Sequence, residues 1–144
     1  MRVLCSDTFY HDGRGPTLVR VHLADGSAHI EAIDYWLPDS DGGPEFSRHL
    51  LFHRAQVYMF TPEEVENYMT TQSDWSKTGR GALVSLGKSN WLSSFSPRHL
   101  ERCEHYRAMF YDEFLDIICE GISSGLGYFI SNKTMQPTRE DAHG

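Results

Sequence analysis

Asp25-Gly26, set between the alternating segments 18–23 and 28–35, is the strongest short-range hairpin signal in the chain. Pairing outward from it puts Leu23 opposite Ala28, Val21 opposite Ile30 and Val19 opposite Ala32 on one face. The other face then pairs His22 with His29 and Arg20 with Glu31. Two imidazoles and a carboxylate, His22, His29 and Glu31, are donors that zinc or manganese accepts, but the remaining ligands would have to come from elsewhere. Cross-strand histidines are more often plain polar neighbours, so neither a metal nor a cofactor is expected. His49 and His53 lack the glutamate of a HExxH helix.

Carboxylates form the second group. If residues 96–122 are helical, Asp112, Asp116 and Glu120 stand at i, i+4 and i+8, with Glu113 beside them and Glu101 and His105 on the same wet side. Each like-charged contact costs a helix roughly 0.2–0.5 kcal/mol, and acids near its C-terminal end oppose the macrodipole. A strip that is mildly unfavourable to its own helix points to a cationic partner. General acid–base work would need a cleft that perturbs these groups, and an outward face supplies none.

Other catalytic signatures fail. Gly81 to Ser89 carries Gly87-Lys88-Ser89 but has five residues between its glycines where a phosphate-binding loop has four, and no helical periodicity follows. There is no GxSxG elbow, and Cys5, Cys103 and Cys119 lack both a CxxC pair and a neighbour that would activate a thiol. An enzyme is therefore not the expected reading.

The elements that would position these residues are dominated by 96–122. On a helical wheel Leu100, Cys103, Tyr106, Phe110, Phe114, Ile117, Ile118 and Ile122 gather within half the circumference; Ser96 offers an N-cap and Pro97 a first helical residue. A hairpin about Asp112-Glu113 is the rival, setting Tyr106, Ala108 and Phe110 against Cys119, Ile117 and Leu115. Its turn lacks the glycine that positive φ favours, so a helix over about 97–122 is preferred. A short helix is expected over about 62–70, from Thr61 as N-cap, Pro62, a capping-box Glu64 and a Phe60–Val65 staple. Residues 2–9, 50–60, 82–86 and 126–130 read as strands. The fold class is then α+β: an antiparallel sheet around the Asp25-Gly26 hairpin, crossed by one long helix, in a single domain over 1–130 with a polar tail over 131–144.

Composition bounds the function. The chain has 144 residues, 40% of them hydrophobic and 12% aromatic, enough for a core without staples. Its net charge of −7 argues against nucleic acid, whose phosphates require Lys and Arg. No apolar run suits a leader or a membrane span, and a cytoplasmic location is expected. The resulting expectation is a small acidic protein that binds a basic protein, in its narrowest form an immunity- or antitoxin-like inhibitor of a toxin such as a nuclease. Its contact surface would be Glu101, His105, Asp112, Glu113, Asp116 and Glu120. The alternative is a small enzyme or ligand- or metal-binding protein with a pocket between sheet and helix, lined by Tyr106, Phe110, Trp91 and Trp36.

Overall fold

The computed structural model describes residues 16–38, 42–62, 65 and 83–130, together with the backbone of residues 2–4. These form two antiparallel sheets. The five-stranded sheet runs β1 (Arg2–Leu4), β6 (Leu83–Gly87), β7 (Glu104–Met109), β8 (Glu113–Cys119), β5 (Val57–Pro62). The four-stranded sheet runs β2 (Thr17–Leu23), β3 (Ile30–Trp36), β4 (Ser47–His53), β9 (Gly121–Leu126). Helix among the described residues is confined to one turn, α1 (Asn90–Ser93), and two 3-10 segments, Pro44–Phe46 and Arg98–Arg102. None is long and apolar enough to cross a membrane.

The expected α+β architecture with a long helix over 97–122 is thus corrected, among the described residues, to a mostly β one. Its place is taken by the 3-10 segment and the β7–β8 hairpin, in which Tyr106 faces Ile117 and Ala108 faces Leu115. The turn lies at Tyr111-Asp112, closed by Phe110 N–H donating to Glu113 O at 2.8 Å. Neither turn residue has positive φ, so the missing glycine is no obstacle. The periodicity misled because both faces of these strands are covered, which leaves a nearly continuous run of buried residues, His105, Arg107 and Asp116 among them, rather than clean alternation. A half-circle of apolar residues on a wheel is then a coincidence of composition.

The covering layers differ. Ile33, Tyr35, Leu50 and Phe52 of the four-stranded sheet meet Leu83, Tyr106, Ala108, Leu115 and Ile117 of the five-stranded sheet in the main core. On the far side of the five-stranded sheet, Trp91, Leu92, Leu100 and Cys103 pack on Ile118 with Val57 and Met59.

The two sheets share one bent ribbon. β4 continues into β5 and β8 into β9, and the partners stay paired on both sides of the bend: His53 with Gly121, Val57 with Ile118. Arg54 makes the corner in the left-handed region, at φ 54°, and its Nε lies 3.0 Å from Glu120 Oε2. Glu120 N–H donates to His53 O and Gln56 N–H to Ile118 O, each at 2.8 Å. The expected single strand over 50–60 is therefore two strands in different sheets.

The Asp25-Gly26 hairpin forms, with Gly26 at φ 71°, but in another register. Ala24 N–H donates to His29 O and leaves a four-residue loop, and two irregularities in β2 then put Val21 opposite Ile33, His22 opposite Ala32 and Arg20 opposite Asp34. Thr61 and Pro62, expected to open a helix, close β5, and Val65 N–H donates to Pro62 O. The remainder of 62–70, and the tail over 131–144, lie outside the described residues.

Candidate functional site

Of the expected contact residues, the fold keeps few together. His105 and Asp116 are completely buried, and Glu120 is tied to Arg54 at the corner of the ribbon. Glu101 is exposed on the 3-10 segment. Asp112 and Glu113 stay side by side, on the β7–β8 turn and at the start of β8. The ladder of like charge vanishes with the helix that would have carried it. The metal candidates separate as well. His22 Nε2 donates to Asp34 Oδ2 at 2.7 Å, whereas His29 Nδ1 donates to Ala55 O at 3.3 Å. Glu31 no longer faces Arg20, and no three metal-ligating side chains converge among the described residues. Tyr106 and Phe110 belong to the main core, Trp91 to the opposite side of the five-stranded sheet, and Trp36 donates from Nε1 to Tyr128 OH. The expected sheet–helix pocket does not form.

What the burial of His105 and Asp116 creates is a polar array that resembles a catalytic triad. With the ring neutral, His105 Nε2 donates to Asp116 Oδ1 at 2.7 Å, which leaves Nδ1 to accept from Ser89 Oγ at 2.7 Å. Arg107 Nε lies 3.2 Å from the same Asp116 oxygen, and its guanidinium stacks over Phe114. Chemistry fails here on access. Ser89 is 7% exposed, lines none of the cavities described, caps α1 by accepting from Leu92 N–H, and has the Trp91 ring standing edge-on to the His105 imidazole. Unlike the usual wiring of a Ser-His-Asp triad, the carboxylate meets Nε2 and the hydroxyl Nδ1. The array pins α1 and its tryptophan onto the sheet and gives partners to Ser89, to both His105 nitrogens and to Asp116 Oδ1, whereas the buried Asp116 Oδ2 accepts no hydrogen bond among the described residues. Its signal was available in the sequence as period-two spacing, since Cys103, His105 and Arg107 must share a face if the segment is a strand.

The outer face of the four-stranded sheet is closed in a comparable way. Residues 127–130 turn back across it from Gly127, at φ 73°. Phe129 N–H donates to the buried Asp34 Oδ1 at 2.8 Å, and the Phe129 ring stands edge-on to both His22 and His49. His49 Nδ1 donates to Gly127 O at 3.0 Å, and Arg20 lies over Tyr128.

One open concavity combines apolar walls with charge. It lies where the edge strand β2 comes up against the edge strand β5 without a ladder between them. Two contacts flank this meeting: the β7–β8 turn joins the residue before β2, Tyr111 N–H donating to Pro16 O at 2.9 Å, and β5 joins the β2–β3 loop, Tyr58 OH donating to Ala28 O at 3.2 Å. Between them is a cleft of about 640 Å³ walled by Leu18, Val21, Phe60 and Pro62, with Asp112 and Glu113 at its rim. Burial pushes the Glu113 carboxyl up, and the neighbouring charge of Asp112 adds to the shift. Reactive thiols contribute nothing here: Cys119 is pushed up to about 12 by burial, and Cys103 is raised by burial and by Glu120. The lining residues come from three distant segments, and nothing in the spacing of any one segment marks them. No family model, curated protein or solved structure matches the chain, so any function must be argued from these residues.

Proposed function

We propose that this chain is a binding protein whose cleft between β2 and β5 receives an apolar, positively charged part of a basic partner protein. One observation carries the reading: the open apolar concavity ends in two adjacent carboxylates, while the catalytic-looking array is sealed inside. Apolar walls supply area to bury. The carboxylates favour cations over neutral or anionic groups, a preference reinforced at long range by the net charge of −7. An inhibitor of a basic toxin is the narrow form of this role, and Tyr111, 53% exposed on the same turn as Asp112, would add the rigid aromatic anchor that interfaces use.

The test is capture from the native source with parent and cleft-blocked chains. Val21→Trp fills the cleft from its wall. Recovery of one basic protein by the parent, and its loss with Val21→Trp at unchanged circular dichroism, is the expected result. Equal recovery by both chains places the binding surface elsewhere and overturns the proposal.

A further inference from the structure

The geometry points to a single lysine side chain of the partner, with its adjoining apolar residue, as the group that enters the β2–β5 cleft between Leu18, Val21, Phe60 and Pro62 and sets its ammonium against Asp112 and Glu113. This inference rests on the binding reading above and names the occupant.

Three features select lysine. First, among the described lining residues Leu18, Val21, Phe60 and Pro62 are apolar and the charge is that of Asp112 and Glu113, so a fitting occupant is apolar along its length and cationic at one end. A lysine side chain is built in this way, with four methylenes that bury while the head stays at the water's edge. Second, the carboxylates come from neighbouring residues on a tight turn, Asp112 exposed and Glu113 half-buried. Two separate carboxyl groups can share one compact ammonium with three rotatable donors, whereas the planar fork of arginine matches the edge of a single carboxylate. Third, β2 is irregular at Leu18/Arg20 and again at His22/Leu23. Bulges of this kind spoil an edge for addition of another strand, so the occupant is recognised by its side chains and not by a main-chain ladder.

Glu113 fits the same picture. Its carboxyl is held above the usual range by burial and by Asp112, and an ammonium placed between the two relieves both effects at once. A bound lysine therefore returns the Glu113 titration towards the ordinary range, which a merely apolar occupant does not.

The full chain can be tested with capped tripeptides as probes: acetyl-Leu-Lys-Leu-amide, the norleucine analogue that keeps the stem and removes the charge, the arginine analogue, and hexylammonium as a free amine. NMR shift changes at Val21, Phe60 and Glu113 report on the cleft. The expected result is that the lysine peptide binds about tenfold more tightly than the norleucine peptide and more tightly than the arginine peptide. Glu113→Gln and Asp112→Asn should each shrink the preference over norleucine while leaving norleucine binding unchanged. Hexylammonium binding as well as the lysine peptide would overturn the protein-borne source in favour of a small amine. Equal binding of lysine and norleucine peptides overturns the lysine assignment but leaves an apolar cleft. Absence of any shift at the cleft with all four probes overturns both this inference and the binding reading beneath it.

Discussion

At the scale of single residues, position in the fold decides what each carboxylate does. Asp112 and Asp116 are four apart, yet one is exposed and the other completely buried. Glu113 lies between these extremes and has a titration consequence. Its folded pKa is raised, so between the ordinary glutamate range and that raised value the folded chain holds more proton than the unfolded chain, and stability falls as pH rises through this window. Glu113→Gln removes the loss. The variant's urea midpoint should match the parent below pH ~4 and equal or exceed it at neutral pH. A Gln variant less stable than the parent at neutral pH would show that the carboxylate is favourably held instead. Cleft residues were legible in the sequence only in part: Asp112 and Glu113 stand out as acids, but Leu18, Val21 and Phe60 become neighbours solely through the meeting of β2 and β5.

At the scale of elements, the Ser89–His105–Asp116 array holds α1 to the sheet, and its energetics should be those of a coupled unit. Ser89→Ala removes both the cap of α1 and the partner of His105, at a cost of about 1–2 kcal/mol. His105→Ala leaves the Asp116–Arg107 pair short of a buried partner and costs about 3 kcal/mol or more. Chemical denaturation of the double variant should give less than the sum, because the shared hydrogen bond is counted twice. Full additivity would mean the two residues act separately. Gly125 makes a second element-scale case. A Cβ there would run into the His49 ring, so Gly125→Ala displaces that ring and its bond to Gly127 O. A loss of about 1–3 kcal/mol follows, visible in thermal unfolding.

The rival hairpin, 106–111 against 115–120, has the weaker turn by sequence, and it prevails over the helix for a reason that lies outside the segment. Turn chemistry is a local preference, whereas burial of Tyr106, Ala108, Leu115 and Ile117 against a second sheet and of His105, Arg107 and Asp116 under α1 is a tertiary one. No property of a segment read alone reveals that both of its faces will be covered. The expected turn at Asp112-Glu113 and the observed one at Tyr111-Asp112 differ by a two-residue shift of register, so the same side chains point inward in both. The Asp25-Gly26 hairpin forms but pairs differently: its turn was legible, while the irregularity between His22 and Leu23 moved the partners of Arg20, Val21 and His22 by three residues, so that Val21 stays inward and meets Ile33 where Ile30 was expected.

At the scale of the whole molecule, the sheets are built from pairings distant in sequence: β1 with β6, β4 with β9, β5 with β8. Such topologies fold slowly, in milliseconds to seconds, because loop closure precedes its reward. Far-UV circular dichroism should show a single β-type minimum, and stopped-flow refolding should resolve the main folding phase on the scale of milliseconds to seconds. Paired minima at the helical wavelengths would contradict the architecture. The acidic surface has a kinetic counterpart, since association with a basic partner should slow steeply as salt is raised.

The strap over residues 127–130 carries a consequence for how the protein is made. Asp34 emerges from the ribosome early, but the amide that completes its burial belongs to Phe129, 95 residues later. The bent ribbon waits in a similar way, because β5 meets β8 only after residue 119 has been synthesised and β4 meets the whole of β9 only after residue 126. Until then Asp34 has His22 and Arg20 beside it but lacks the Phe129 amide, and β4 and β5 display edges whose native partners are not yet made, so the packing of the two sheets is completed only once β8 and β9 are in the chain. A cell making it must shelter a long, sticky, partner-seeking chain, and the speed of elongation through its second half becomes part of the folding problem.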